Sequence, residues 1–200
     1  MPESAAQERP WPPPQGEWTF EDWLKLPEDG WQYEVIKGVL HMTPAPKPPH
    51  QRASGKLYTR MSNFAERHNL GEVFFAPIDV YLPGQETPVQ PDLVFLAAER
   101  QSLISDRGIE GTPDLVVEIL SGRTWWRDLK VKQPLYEETG VRELWILDIE
   151  KKVIEVYVLR EGSYALLGHW GPGERAQSEA LVGFEVAVDE VMHAPTRAKK

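Results

Sequence analysis

The chain has 200 residues, 41% of them hydrophobic and 26% charged, which suits one globular domain with a sizeable core. It contains no cysteine, which excludes disulfides, thiol nucleophiles and thiolate zinc sites together. A net charge of −9 argues against a simple basic nucleic-acid-binding surface, but not against an enzyme that meets phosphate through a carboxylate-held divalent cation.

Residues 1–17 are rich in proline and polar side chains and are expected to be disordered. They carry no apolar h-region, and no later run reaches membrane-spanning length. A cytoplasmic protein with no membrane partner is therefore expected. In "TFEDWLKL", Thr19 and Asp22 stand at capping-box spacing and open a short helix. "YEVIKGVLHM" predicts a hairpin turning at Lys37-Gly38. "PAPKPPH" reads as a stiff linker whose Pro49 suits the first turn of the next helix. That helix, "HQRASGKLYTRMSNFAERH", puts Ala53, Leu57, Met61 and Phe64 on one face. Arg52, Lys56 and Arg60 form a basic stripe beside that face, and Gly71 is the expected terminator.

"EVFFAPIDVYL" predicts a first core strand, broken at Pro77; "PDLVFL" predicts a second and "PDLVVEIL" a third. A helical turn and a loop are expected between the last two. "WWRDLKVKQPLYEETG" contains a helix closing at Gly140, and Pro134 predicts that it starts late, with Lys132 in its lead-in. "RELWILDI", "KVIEVYVL" and "SYALLGHW" follow as strands, the first two joined at Glu150-Lys151. A short basic tail occupies 193–200. The mixed order predicts an α/β fold with a mixed, α+β-like sheet, carried by a single domain over 18–192.

The doubled "PDLV" poses a question, because the second copy places Glu118 inside an apolar strand. A buried carboxylate needs a cation, a hydrogen-bond partner or a shifted pKa. If the two strands are antiparallel neighbours, Asp92 near the start of one faces the region of Glu118 near the end of the other. Asp114 lies four residues before Glu118, about 13 Å away at ~3.3 Å per residue. A Mg²⁺ with ligands at ~2.0–2.1 Å cannot span that. Asp92 thus pairs with Glu118, and Asp114 is structural. The plainer alternative is a Glu118 that pairs with an arginine or caps a loop.

The blocks "YEVIKGVL", "PPHQRASGKL", "FAPIDVYL", "QPDLVFL", "GTPDLVVEILS", "RDLKVKQPLY" and "GVRELWILD" occur in that order. Together they resemble the Uma-type restriction endonuclease family, long catalogued as a domain of unknown function within the PD-(D/E)XK nuclease superfamily. The resemblance runs from about Trp18 to Met192. It implies a restriction-endonuclease-like core: a helix, a three-stranded antiparallel meander, a helix and a further strand. It also implies Asp92 and Glu118 as ligands of Mg²⁺ or Mn²⁺, and Lys132 as the lysine that polarises the phosphate or the attacking water. Glu34 and His50 fall in the family's N-terminal motifs and are implied as further members of the catalytic site. The superfamily's usual lysine position, two residues after the second acid, is Leu120 here. The family supplies it from the following helix instead.

Ordinary readings stand beside these. Lys132 follows Asp128 by four residues and could be an exposed helix ion pair. His50 could be a surface residue at a helix start. Arg52, Lys56 and Arg60 could track a phosphate backbone or simply form a solvated face. Trp125 and Trp126, beside Arg127, could stack on bases or pack in a core or interface. Asp128 reads as an orienting or capping residue. No phosphate-binding glycine loop, serine triad or two-histidine zinc motif is present, and no organic cofactor is expected.

The expected function is a divalent-metal-dependent endonuclease acting on DNA, with a homodimer as the expected assembly. The alternative is a catalytically silent interaction module that keeps the fold. The presence of Asp92, Glu118 and Lys132 together favours the enzyme.

Overall fold

The computed structural model describes residues 10–120 and 125–192, without the side chains of 125–128. Within the segment expected to be disordered, residues 10–17 are described. The Gly16 and Trp18 N–H groups both donate to the Gly38 carbonyl, at 2.8 and 3.0 Å, and Trp11 packs edge-on against Trp18. The basic tail at 193–200 lies outside the described residues.

Helix α1 (Phe20–Trp23) is opened by the capping box of Thr19 and Asp22, which bond reciprocally. Strands β1 (Gln32–Ile36) and β2 (Val39–Thr43) form the expected hairpin. Lys37 and Gly38 both take positive φ, 50° and 74°, as a two-residue type I′ turn requires. Helix α2 (Pro48–His68) starts on Pro48 and Pro49, where a missing N–H costs nothing. Its C-cap is Asn69 in the left-handed region (φ 52°), not Gly71. Gly71 already begins β3 (Gly71–Phe75), with φ 145° and its α-carbon so close to the Leu96 carbonyl that no Cβ would fit.

The main sheet has six strands in the order β10-β9-β8-β7-β4-β3. It comprises β3, β4 (Leu93–Ala97), β7 (Leu115–Leu120), β8 (Glu143–Asp148), β9 (Val153–Arg160) and β10 (Ser163–Trp170). β3, β4 and β7 form the antiparallel meander, and β8 then joins β7 in parallel after the crossover helix α3 (Trp125–Glu138). The fold is thus a mixed α/β sheet of the expected kind. β3 is an edge strand rather than a core strand. Between β4 and β7 run a 3₁₀ helix (Ala98–Leu103) and a small hairpin, β5 (Ile104–Ser105) with β6 (Gly108–Ile109).

Side-chain alternation separates two hydrophobic layers. Leu115, Val117 and Ile119 of β7 face α2, where Ala53, Leu57, Met61 and Ala65 complete the larger core. Val116 and Leu120 point to the other face, toward Leu135 and Tyr136 of α3 and Ile36 of β1. Glu118 shares the parity of that second face. α3 runs unbroken through Pro134, so Lys132 lies inside the helix and not in a lead-in. Proline removes one backbone donor there, while Leu135 and Tyr136 just beyond it are fully buried and hold the helix down.

The sequence reading had no place for β11 (Arg175–Gln177), β12 (Glu185–Ala187) or α4 (Val188–Met192), which close the larger core. They are fastened by Glu143, a fully buried carboxylate at the start of β8. It accepts hydrogen bonds from Trp145 Nε1 (2.6 Å), Ser178 Oγ (2.5 Å) and the Glu179 and Ala180 N–H groups (2.7 and 2.8 Å). With every lone pair so engaged, the charge is tolerable in the interior.

Candidate active site

The register of the meander pairs Leu93 with Val117 and Val94 with Val116. One step outward, Asp92 comes opposite Glu118, both on the α3 side of the sheet. Asp92 Oδ2 accepts the Ile119 N–H at 2.7 Å, so its carboxylate is anchored to the neighbouring strand. Its other oxygen lies 3.2 Å from His50 Nε2. Asp114 sits at the opposite end of the same strand pair. It accepts from Ala97 N–H at 2.9 Å and lies 3.2 and 3.4 Å from the Arg100 and Arg142 guanidinium groups.

Lys132 extends from α3 into the same place. Its Nζ is 2.9 Å from Glu34 Oε1 and 3.2 Å from Glu118 Oε1, and the residue is only 8% exposed. An exposed helix pair with Asp128 would not look like this; the Asp128 side chain itself lies outside the described residues. Glu34, on β1, is 7% exposed and also accepts the Gln90 N–H at 2.8 Å. His50 continues the buried stripe of α2 one turn beyond Ala53, so the helix packing that seats α2 also carries the imidazole to Asp92.

Tyr136 was not foreseen as part of this group. Its hydroxyl donates to Glu118 Oε1 at 2.6 Å. The available signal was its spacing: Lys132 and Tyr136 are i and i+4, and therefore on one face of α3.

These contacts set the charge states. Burial pushes the Glu118 carboxyl up to about 7; Lys132 pulls it down, and Asp92 and Glu34 push it further up. Burial alone would lower the Lys132 ammonium, but Glu118 and Glu34 outweigh it and raise it, so the amine stays protonated. For His50, burial lowers the pKa and the Asp92 contact more than compensates. Burial holds the Tyr136 phenol well above its usual range.

A stability prediction follows for the metal-free protein. Because Glu118 titrates higher folded than unfolded, the folded state keeps a proton that the unfolded chain has lost. The group's contribution is full below about pH 4.5 and is lost as pH rises through about 7. In EDTA, the melting temperature should therefore fall between about pH 5 and 8. Glu118→Gln should flatten that fall and melt above the wild type at pH 8. A variant whose melting follows the wild-type pH curve would refute this account of Glu118.

Glu34, His50, Asp92, Glu118 and Lys132 all line one open cleft of about 1310 Å³. Arg52, Lys56 and Arg60 are not among its lining residues. Arg60 instead reaches α4, with Nε 2.6 Å from Glu190. The side chains of Trp125, Trp126 and Arg127 lie outside the described residues. Among the described residues, no cluster of three or more His, Cys, Asp and Glu is arranged to hold a metal ion. The donor set still suits a hard cation. Asp92 and Glu118 offer oxygen ligands, and three carboxylates face a single lysine. Mg²⁺ commonly takes one or two protein carboxylates and completes its shell with water and phosphate oxygens.

The family described as "Uma2: Putative restriction endonuclease" matches residues 20–189. Among solved structures, the chain is similar to one described as "a putative nuclease belonging to DUF820" from Anabaena variabilis. The two share 16% identity and a TM-score of 0.70, over 87% of this chain and 97% of that one. At that identity the likeness concerns the fold. No protein with a curated description matches. Among the described residues, no helix is long and apolar enough to cross a membrane.

Proposed function

The chain belongs to the family described as "Uma2: Putative restriction endonuclease", and from that premise we propose that it is a divalent-metal-dependent endonuclease that hydrolyses DNA phosphodiester bonds. The observation that carries the reading is the convergence of five side chains from separate parts of the chain on one cleft: Glu34, His50, Asp92, Glu118 and Lys132. Core packing alone would not bring three carboxylates, a lysine and an imidazole together at this cost in desolvation.

Asp92 and Glu118 are the residues that would hold the cation, Mg²⁺ or Mn²⁺. When bound, it supplies Lewis acidity beside the scissile phosphate. The Ile119 N–H and His50 orient Asp92, while Tyr136 orients Glu118. Lys132 acts as a fixed positive charge facing the phosphate oxygens, where negative charge builds in the transition state. Its raised pKa excludes it as a base at neutral pH. Glu34 holds the lysine in place and is a positioning residue.

Incubation of purified protein with plasmid and oligonucleotide DNA tests this directly. Cleavage is expected with Mg²⁺ or Mn²⁺ and none with EDTA. Cleavage that survives EDTA would refute the metal-dependent reading. No cleavage of any substrate with either metal would leave a silent interaction module in its place.

A further inference from the structure

The mouth of the cleft is unlike its floor. Around the acids and Lys132, the lining includes Leu24, Trp31, Tyr58 and Phe75. Trp31 is 46% exposed and Phe75 55%, which are large apolar surfaces to leave in water. Neither is loose on the surface. Phase and position are set by the fold: Trp31 directly precedes β1, three residues from Glu34. Phe75 ends β3, paired with Leu93 next to Asp92, and meets Tyr58 edge-to-face at 4.7 Å between ring centroids.

The charge of the lining is as informative. Glu28, Glu34, Asp92 and Glu118 stand against Lys47, Lys132 and the His50 imidazole, with Lys132 already engaged by two of the acids and His50 by Asp92. A protein that grips duplex DNA by its backbone needs many cationic contacts, and log affinity scales with their number. Among the described residues, this cleft does not offer them. It offers exposed rings, and a duplex can use rings only by first unstacking its own bases. An unpaired strand can use them directly, since every base has a free face, and base–aromatic stacking needs no particular sequence. The cleft volume exceeds the roughly 300–1,000 Å³ of a small-molecule pocket, leaving room for more than one nucleotide.

We propose that the substrate is an unpaired stretch of DNA, whose bases stack on Trp31 and Phe75 while the phosphate between them reaches Asp92, Glu118 and Lys132. This rests on the nuclease reading and narrows its substrate. Specificity then follows strand structure, not base sequence.

The test has a cleavage arm and a binding arm, both run on the full chain. In the first, a labelled oligonucleotide is cut alone or annealed to its complement, with Mn²⁺. The single strand should be cut at least about 10-fold faster. Trp31→Ala and Phe75→Ala should each raise KM for the single strand by about 5- to 100-fold, with kcat near wild type. Leu167→Ala, an exposed apolar residue outside the cleft lining, should change neither. In the second arm, fluorescence anisotropy measures binding of the same two oligonucleotides at low and high salt.

A duplex cut or bound as well as the single strand would overturn the proposal, as would unchanged KM in both ring variants. So would a wild-type dimer that both variants dissociate, since the rings would then serve a second copy. If nothing is cut, the nuclease reading falls. The binding arm still decides this proposal: single-strand preference lost in both variants upholds it, and no preference ends it.

Discussion

Asp92→Asn is expected to lower metal-dependent DNA cleavage by about 10³-fold or more while the protein stays folded. The asparagine is isosteric and can still accept the Ile119 N–H, so the strand pair keeps its anchor. What goes is the negative charge that a cation requires. Glu118→Gln should match it, because the two carboxylates are proposed to hold one ion, and the double variant should be little worse than either single one. Lys132 needs a different substitution. Its stem is buried, so Lys132→Ala would confound lost charge with a cavity. Lys132→Met keeps the stem and removes only the ammonium. It should cost on the order of 10²–10³-fold in kcat with little change in KM, as expected for a group that acts on the transition state. Circular dichroism and thermal melting would establish that each variant is folded. Asp92→Asn cutting at the wild-type rate would remove Asp92 from the mechanism, and Glu118 with it.

Much of this arrangement was legible in the sequence, for reasons that differ from residue to residue. The pairing of Asp92 with Glu118 could be read because both strands carry the same proline-aspartate opening, so an antiparallel arrangement brings the start of one beside the end of the other. His50 stands three residues before Ala53, a helical spacing that the expected surface position at the helix start left unused. Lys132 could not be assigned from spacing. Locally it is one of several lysines near an aspartate, and only the family resemblance singled it out. Its position inside α3 was misread because Pro134 suggests a helix boundary, a local rule that burial of Leu135 and Tyr136 overrides. The basic stripe shows the opposite limit. Its spacing on α2 was read correctly, but Arg60 is taken up by Glu190, 130 residues further along the chain. The closing elements after β10 were hidden for the same reason. Their fastening to Glu143 joins residue 143 to residues 178–180, and no local pattern reports such a contact.

The doubled phrase supports a second large effect, free of any assumption about substrate. Mn²⁺ titrated into the protein, followed by calorimetry, should find a site that Asp92→Asn or Glu118→Gln weakens by about 100-fold or more, beyond the 10- to 100-fold typical of outer-shell partners. Asp114→Asn should leave that affinity unchanged. The reason is geometric. Asp114 and Glu118 share one strand, about 13 Å apart along it, so no single ion can use both. Asp114 is also already committed to the Ala97 N–H, Arg100 and Arg142. Its substitution should appear instead as lost stability, about 1–3 kcal/mol, since both arginines remain partly exposed and can be rehydrated. Asp92→Asn should show the reverse pattern in the metal-free protein. Removing one of the carboxylates that push the Glu118 proton affinity upward relieves repulsion, so it should melt at or above the wild type at pH 8. One substitution thus trades metal for stability and the other loses stability alone. If Asp114→Asn abolished Mn²⁺ binding in a folded protein and Asp92→Asn did not, the cation would sit at the other end of the strands, and the site assigned to Asp92 and Glu118 would be wrong.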